Sequence, residues 1–190
     1  MTARIITLAL AALAIVACQD ITRSTIATRD VIEDTLVVFP FSGSPLAAPT
    51  AIDLFGPMSI RVGQGRWVDA PYDLVVDTAA GEAVLQPSQL VTTEAPETAI
   101  LQVTTPFDSI PEAPTTGYQD TASVSLAPGE TVVVRARNRC SGGFAGRDFF
   151  YAKVQLLELT MSSGFRSLRF RVRSNPNCGF RSFADGLPGF

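Results

Sequence analysis

The chain of 190 residues has no histidine, a single lysine and only three cysteines. A histidine-activated nucleophile, a histidine metal site and a zinc ribbon are therefore excluded at once. Aromatic residues make up 8% of the chain and do not interleave with its arginines, and the formal net charge is −3, which argues against nucleic acid as a partner. Helical periodicity is also lacking. After the first twenty or so residues no stretch holds an apolar period of 3.6 over 11 residues or more. The dinucleotide and phosphate-loop fingerprints are absent as well: Gly63-Gln64-Gly65-Arg66-Trp67 starts with suitable glycines and then departs, so it predicts a hairpin turn with Trp67 packed nearby. Nothing marks a catalytic residue or implies a cofactor.

What is present is a globular composition, with 46% hydrophobic residues and 15 basic against 18 acidic side chains. The only long apolar run, residues 5–17, follows Arg4 and ends at Cys18. As a helix it would extend about 20 Å, short of the ~30 Å hydrocarbon core, so it predicts a cleaved signal peptide over 1–17 rather than a permanent span. Residues 18–34 are polar and mixed and predict a tether.

Ile15-Val16-Ala17-Cys18 resembles the lipobox of bacterial lipoproteins: an aliphatic residue, a variable one, a small one and then cysteine. The resemblance implies that Cys18 carries a diacylglycerol on its thiol and becomes the N-terminus after cleavage. It also implies a partner, the membrane itself, reached through this lipid anchor. Gln19, with no aspartate directly after the cysteine, points to the bacterial outer membrane within the cell envelope.

Short runs rich in valine, leucine, threonine and phenylalanine recur at 35–39, 58–62, 72–76, 83–85, 99–103 and 122–126, separated by the chain's 13 prolines and 14 glycines. Residues 131–140 alternate strictly, with Val132, Val134, Ala136 and Cys140 on one face and Val133, Arg135, Arg137 and Arg139 on the other. Residues 149–160 form a further strand whose apolar phase slips at Leu156-Leu157, which asks for a bulge or two covered faces. Leu168, Phe170 and Val172 alternate with Arg169, Arg171 and Arg173 in the next, and Ala127-Pro128-Gly129-Glu130 has the form of a type II turn. The fold class expected is all-β, an antiparallel β-sandwich of roughly 8–10 strands in one domain over 35–190. The proline-rich stretch near 105–117 serves as a long loop, a sheet-to-sheet crossing or a domain boundary. In strand number and turn style the pattern resembles extracytoplasmic immunoglobulin-like modules, a likeness of fold that implies no function.

With Cys18 lipidated, Cys140 and Cys178 remain as one pair. An oxidising envelope and the apolar-face position of Cys140 point to a disulfide between them; two buried free thiols are the alternative.

Charge is divided along the chain. Residues 18–130 hold 15 acids and 4 bases, a net −11, whereas 131–190 hold 3 acids and 10 bases, a net +7. Arg135, Arg137, Arg139, Lys153, Arg169, Arg171 and Arg173 could form one basic sheet face suited to an anionic glycan, a lipid head group or an acidic protein partner. The competing expectation, taken first here, is that acids of the first half, including Asp69, Asp73, Asp77, Glu94 and Glu97, lie beside that face and balance it. Asp69, Asp73 and Asp77 stand four apart, but a strand-like Leu-Val-Val sits where a calcium loop needs ligands at every second position, so no metal is expected. Three functional readings follow. The first is a non-enzymatic, lipid-anchored binding or scaffolding module; the second is an accessory subunit of an envelope assembly. The last-ranked is a carboxylate-based glycan hydrolase, for which no carboxylate pair stands out.

Overall fold

A computed structural model describes residues 27–63, 71–137, 139–140, 149–162 and 164–187. The signal peptide, Cys18, the tether up to residue 26, the turn around Trp67 with Asp69, the glycine-rich stretch 141–146 and Phe190 lie outside these residues.

Among the described residues, ten strands form two antiparallel sheets. The first is ordered β1 (Ile32–Val38), β10 (Phe165–Asn175), β9 (Phe150–Ser162), β8 (Thr131–Ala136), β6 (Thr98–Val103). The second is ordered β3 (Met58–Ile60), β2 (Ala51–Asp53), β4 (Leu74–Ala79), β5 (Glu82–Pro87), β7 (Val124–Leu126). Alternation explains the sandwich: Leu36 and Val38, Val132 and Val134, and Leu168, Phe170 and Val172 turn one face of the first sheet inward. They meet Ile52, Leu74, Val76, Leu85 and Leu126 of the second in one buried cluster. Cys140 belongs to the same cluster, and its sulfur is bonded to Cys178 with the Cα atoms 5.7 Å apart.

The strands β8, β9 and β10 pair in chain order, as the alternation requires. In β9 the register steps from Leu156 opposite Phe170 to Glu158 opposite Arg169, leaving Leu157 as the extra residue of a bulge. The bulge resolves the phase slip, since Ala152, Val154 and Leu156 point into the core before it and Leu159 packs against the core after it. The turn before β8 is also as expected: Gly129 has φ +92° and the amide of Glu130 donates to the carbonyl of Ala127 at 3.0 Å.

Three boundaries differ from the sequence reading. β1 starts at Ile32, inside the expected tether, because Ile32, Glu33 and Asp34 pair with Ser174, Arg173 and Val172 of β10. β8 stops at Ala136, four residues before Cys140. β2 has no counterpart among the expected strands: it is three residues long, fully buried, and defined by pairing with β3 and β4.

The proline-rich stretch crosses from β6 in the first sheet to β7 in the second. On the way it lies over the outer face of the first sheet, where Ile110 and Ala113 pack with Val133 of β8 and Phe183 near the C-terminus. Glu112 bridges to Ser182, tying the crossing to the C-terminal segment. The first sheet is thus covered on both sides around β8, which explains why Val133 is apolar on a face otherwise set with arginines.

Candidate functional site

The outer face of the first sheet gathers most of the basic residues singled out above. Register sets their order, since Arg173 of β10 lies opposite both Glu33 of β1 and Lys153 of β9, and Arg169 lies opposite Glu158. Glu33 is shared between two arginines: Oε1 accepts from Nε of Arg171 and Oε2 from Nη1 of Arg173, each at 2.7 Å. Arg171 also reaches Asp108 of the crossing at 2.9 Å, and Arg173 reaches Asp185 at 2.6 Å and the carbonyl of Phe183 at 2.7 Å. Burial by itself would raise the Glu33 carboxyl, but Arg173 and Arg171 outweigh it and hold it below its ordinary range. Asp108 is lowered chiefly by its hydrogen bond from Arg171.

At the other end of the face, Glu97, just before β6, binds Arg135 at 3.2 Å and Arg137 at 3.4 Å. Both guanidinium groups stack on Phe149, each 4.7 Å from the ring centroid, and Arg135 also lies 5.0 Å from Tyr118. Burial pushes the Tyr118 hydroxyl above its ordinary range, with neighbouring Tyr151 adding to the rise. Arg169 pairs across the strands with Glu158 at 3.1 Å, and Arg181 pairs with Glu112.

Two members of the expected basic face stand elsewhere. Lys153 is buried, 4% exposed, with its Nζ donating to the carbonyls of Phe107 at 2.7 Å and Ile110 at 3.1 Å and sitting 4.4 Å from the Phe107 ring. It pins the crossing to the sheet instead of meeting solvent. Arg139 follows the end of β8, adopts φ +69°, and turns to the second sheet, where Nη2 lies 2.7 Å from Oδ2 of buried Asp53 and the guanidinium stacks 5.2 Å from Phe55.

Balance therefore comes from nearby acids, though mostly not the ones named from sequence. Glu97 does serve the face. Asp73 instead accepts from the amide of Leu54 at 2.7 Å, and Asp77 accepts from the amide and hydroxyl of Ser42. Glu33, Asp53, Asp108, Glu112, Glu158 and Asp185 carry the remaining pairs. Only Glu158 had a sequence signal, its place in a strand beside the arginine-bearing one.

No family model, curated protein or solved structure matches the chain. The chemistry must be read from the surface itself. Each arginine of the outer face has a carboxylate within salt-bridge distance, so an anion binding there must displace a partner worth up to about 1 kcal/mol at such exposure. Arg137 and Arg169 are the most open, with side chains 46% and 48% exposed. A cleft of about 560 Å³ at the ends of β6 and β8 is lined by polar side chains, among them Gln102, Thr104, Thr105, Glu130 and Gln155. Phe41, Leu46, Met161 and Phe165 are exposed on the 40–48 loop and the β9–β10 turn. Among the described residues no three His, Cys, Asp or Glu side chains are grouped to hold a metal ion.

Proposed function

We propose that this protein is a lipid-anchored module of the bacterial cell envelope that binds or scaffolds other molecules and does not act as a catalyst. The observation that carries the reading is the assignment of its three cysteines. Cys140 and Cys178 are joined inside the sandwich core, which leaves Cys18, at the end of the lipobox-like Ile15-Val16-Ala17-Cys18, as the odd cysteine of the chain. A disulfide of this kind fits an oxidising compartment, and a lone cysteine behind an apolar leader fits acylation. Gln19 favours the outer membrane. The candidate contact surface is the open part of the outer face around Arg137 and Arg169, for which an anionic glycan, lipid or acidic protein is the matching chemistry.

Expression with an alkyne-bearing fatty acid, beside a Cys18→Ser variant, tests the anchor. Incorporation of label and recovery with membranes are expected for the wild type and not for the variant. An unlabelled wild type, or a variant that still fractionates with membranes, would overturn the reading.

The second reading, an accessory subunit of an envelope assembly, draws support from the exposed Phe41, Leu46, Met161 and Phe165. A strictly monomeric protein that recovers no partner after cross-linking in the envelope would count against it.

A further inference from the structure

Of the residues that precede the bridged cysteines, Asn177 grips the segment through which the chain enters the sandwich, and Arg139 shares an aromatic ring with it. Asn177 precedes Cys178 and is 6% exposed. Its side-chain amide treats the backbone of the N-terminal segment as a strand neighbour would: Oδ1 accepts from the amides of Thr28 at 2.8 Å and Arg29 at 3.1 Å, while Nδ2 donates to the carbonyl of Arg29 at 2.7 Å. The same Nδ2 is held by Oδ1 of buried Asn175 at 2.8 Å, and Asn175 is in turn tied to the carbonyl of Ser182. On the other side, Arg139 precedes Cys140. Its guanidinium and that of Arg29 both stack on Phe55, at 5.2 Å and 4.9 Å, and Arg139 is fixed there by Asp53. Phe55 itself meets Phe150 of β9 edge to face at 5.3 Å. Ala27 closes the grip, being 5% exposed.

We propose that the Cys140–Cys178 disulfide is a redox-sensitive lock on this segment. While it is closed, residues 176–178 beyond β10 cannot move away from Cys140 past the end of β8, and Asn177 keeps Thr28 and Arg29 docked. A dithiol reductant opens it by supplying two electrons and two protons: the sulfur–sulfur bond breaks, two cysteine thiols form, and the reductant closes to its own disulfide. The stretch then has no covalent tie to the end of β8 and is held by hydrogen bonds, among them the Gly179 amide to the Phe149 carbonyl at 2.8 Å and the Asn177 amide to Oδ1 of Asn175 at 3.0 Å, and Arg139 can leave a left-handed conformation that costs an L-residue energy to hold. The core of β8, β9 and β10 does not depend on the bond for its register, so release is local and precedes unfolding. Freed residues 27–31 add up to about 17 Å of extended chain ahead of β1. Where Cys18 is anchored, a consequence that rests on the function proposed above, this added length lets the domain stand farther from the membrane.

Hydrogen exchange of individual amides, followed by NMR on the full chain with and without dithiothreitol, tests the lock. Reduction is expected to speed exchange at Thr28 and Arg29 at least tenfold while Phe170 and Val172 in β10 keep their protection. An Asn177→Ala variant is expected to do the same with the disulfide closed. The proposal is overturned if Thr28 and Arg29 stay protected after reduction or in the variant, or if they lose protection only together with β10. The readout does not depend on a lipid at Cys18, so the lock and the anchor fail separately.

Discussion

The ammonium of Lys153 lies 2.7 Å from the carbonyl oxygen of Phe107, beneath the segment that crosses between the sheets. It is the only lysine of the chain, and the structure spends it inside. Burial, then the nearby Arg173, lowers its pKa from the ordinary value of 10.5, against Asp108 and Glu33, which favour the charge. Two backbone carbonyls and an aromatic ring make the position tenable. Lys153→Met keeps the apolar stem but leaves both carbonyls without their donor. It should lower stability by about 1–3 kcal/mol, seen as a reduced urea midpoint with an unchanged slope. An amine-acylating reagent should label Lys153 in the unfolded chain and leave it unlabelled in the native one.

The disulfide closes a loop across a sequence separation of 38 residues. Loop-closure entropy assigns such a bridge about 4 kcal/mol, so the Cys140→Ser, Cys178→Ser double variant should lose a comparable amount in denaturant titration. A loss under about 1 kcal/mol would show that the unfolded chain is not appreciably constrained by the bond.

Two tight turns should respond in opposite directions. The β4–β5 hairpin turns through Ala80 at φ +52° and Gly81 at φ +90°, a conformation that favours Asn-Gly over Ala-Gly. Ala80 is exposed, so Ala80→Asn should stabilise by about 0.5–1 kcal/mol. At Gly129, with φ +92°, a Cβ would meet open space, so Gly129→Ala should cost about 1 kcal/mol from backbone strain alone. Equal thermal midpoints for the two variants would contradict this assignment.

Acid sensitivity should pass through Glu33. Its folded-state pKa lies below the ordinary 4.5, so its contribution is fully present above that value and is lost as the pH falls through the lowered one. Glu33→Gln should therefore be less stable than wild type at pH 7, by about 1 kcal/mol, with the gap narrowing below pH 4.5. Asp53 works the other way: burial raises its carboxyl, so its ionisation opposes folding as the pH rises above 3.8. Comparing wild type with Glu33→Gln across the pH series cancels that opposite slope. A gap that stays constant to pH 3 would assign the acid loss to other carboxylates.

Much of the fold was legible because the physics is local. Val132, Val134 and Ala136 against Arg135, or Phe170 against Arg169 and Arg171, state which face is buried before any partner is known. The slip at Leu156-Leu157 announced either a bulge or two covered faces for the same reason, and the proline and glycine at 128 and 129 announced their turn. β2 was invisible because three residues carry no period, and Ile52 is placed by what pairs on either side of it. The candidate site was only half legible. Its arginines follow from alternation, but Glu33, Asp53 and Asp108 reach them from segments far away in sequence, and no local pattern records that.

By itself the sequence determined the all-β class and the inward and outward faces of the long strands; it raised the expectations of an N-terminal lipid and of a Cys140–Cys178 bridge, the latter with two free thiols as the alternative. The class and the faces depend on residue type and spacing of two to ten positions, where chain geometry is nearly fixed. Only the tertiary structure decided that the crossing folds over the first sheet, that Lys153 is buried under it, that Arg139 turns to Asp53, and that Asn177 holds the backbone of Thr28 and Arg29. Those outcomes turn on side chains meeting across about 20 to 150 residues of chain, and such meetings are selected by the packing of two whole sheets rather than by any segment's own preference.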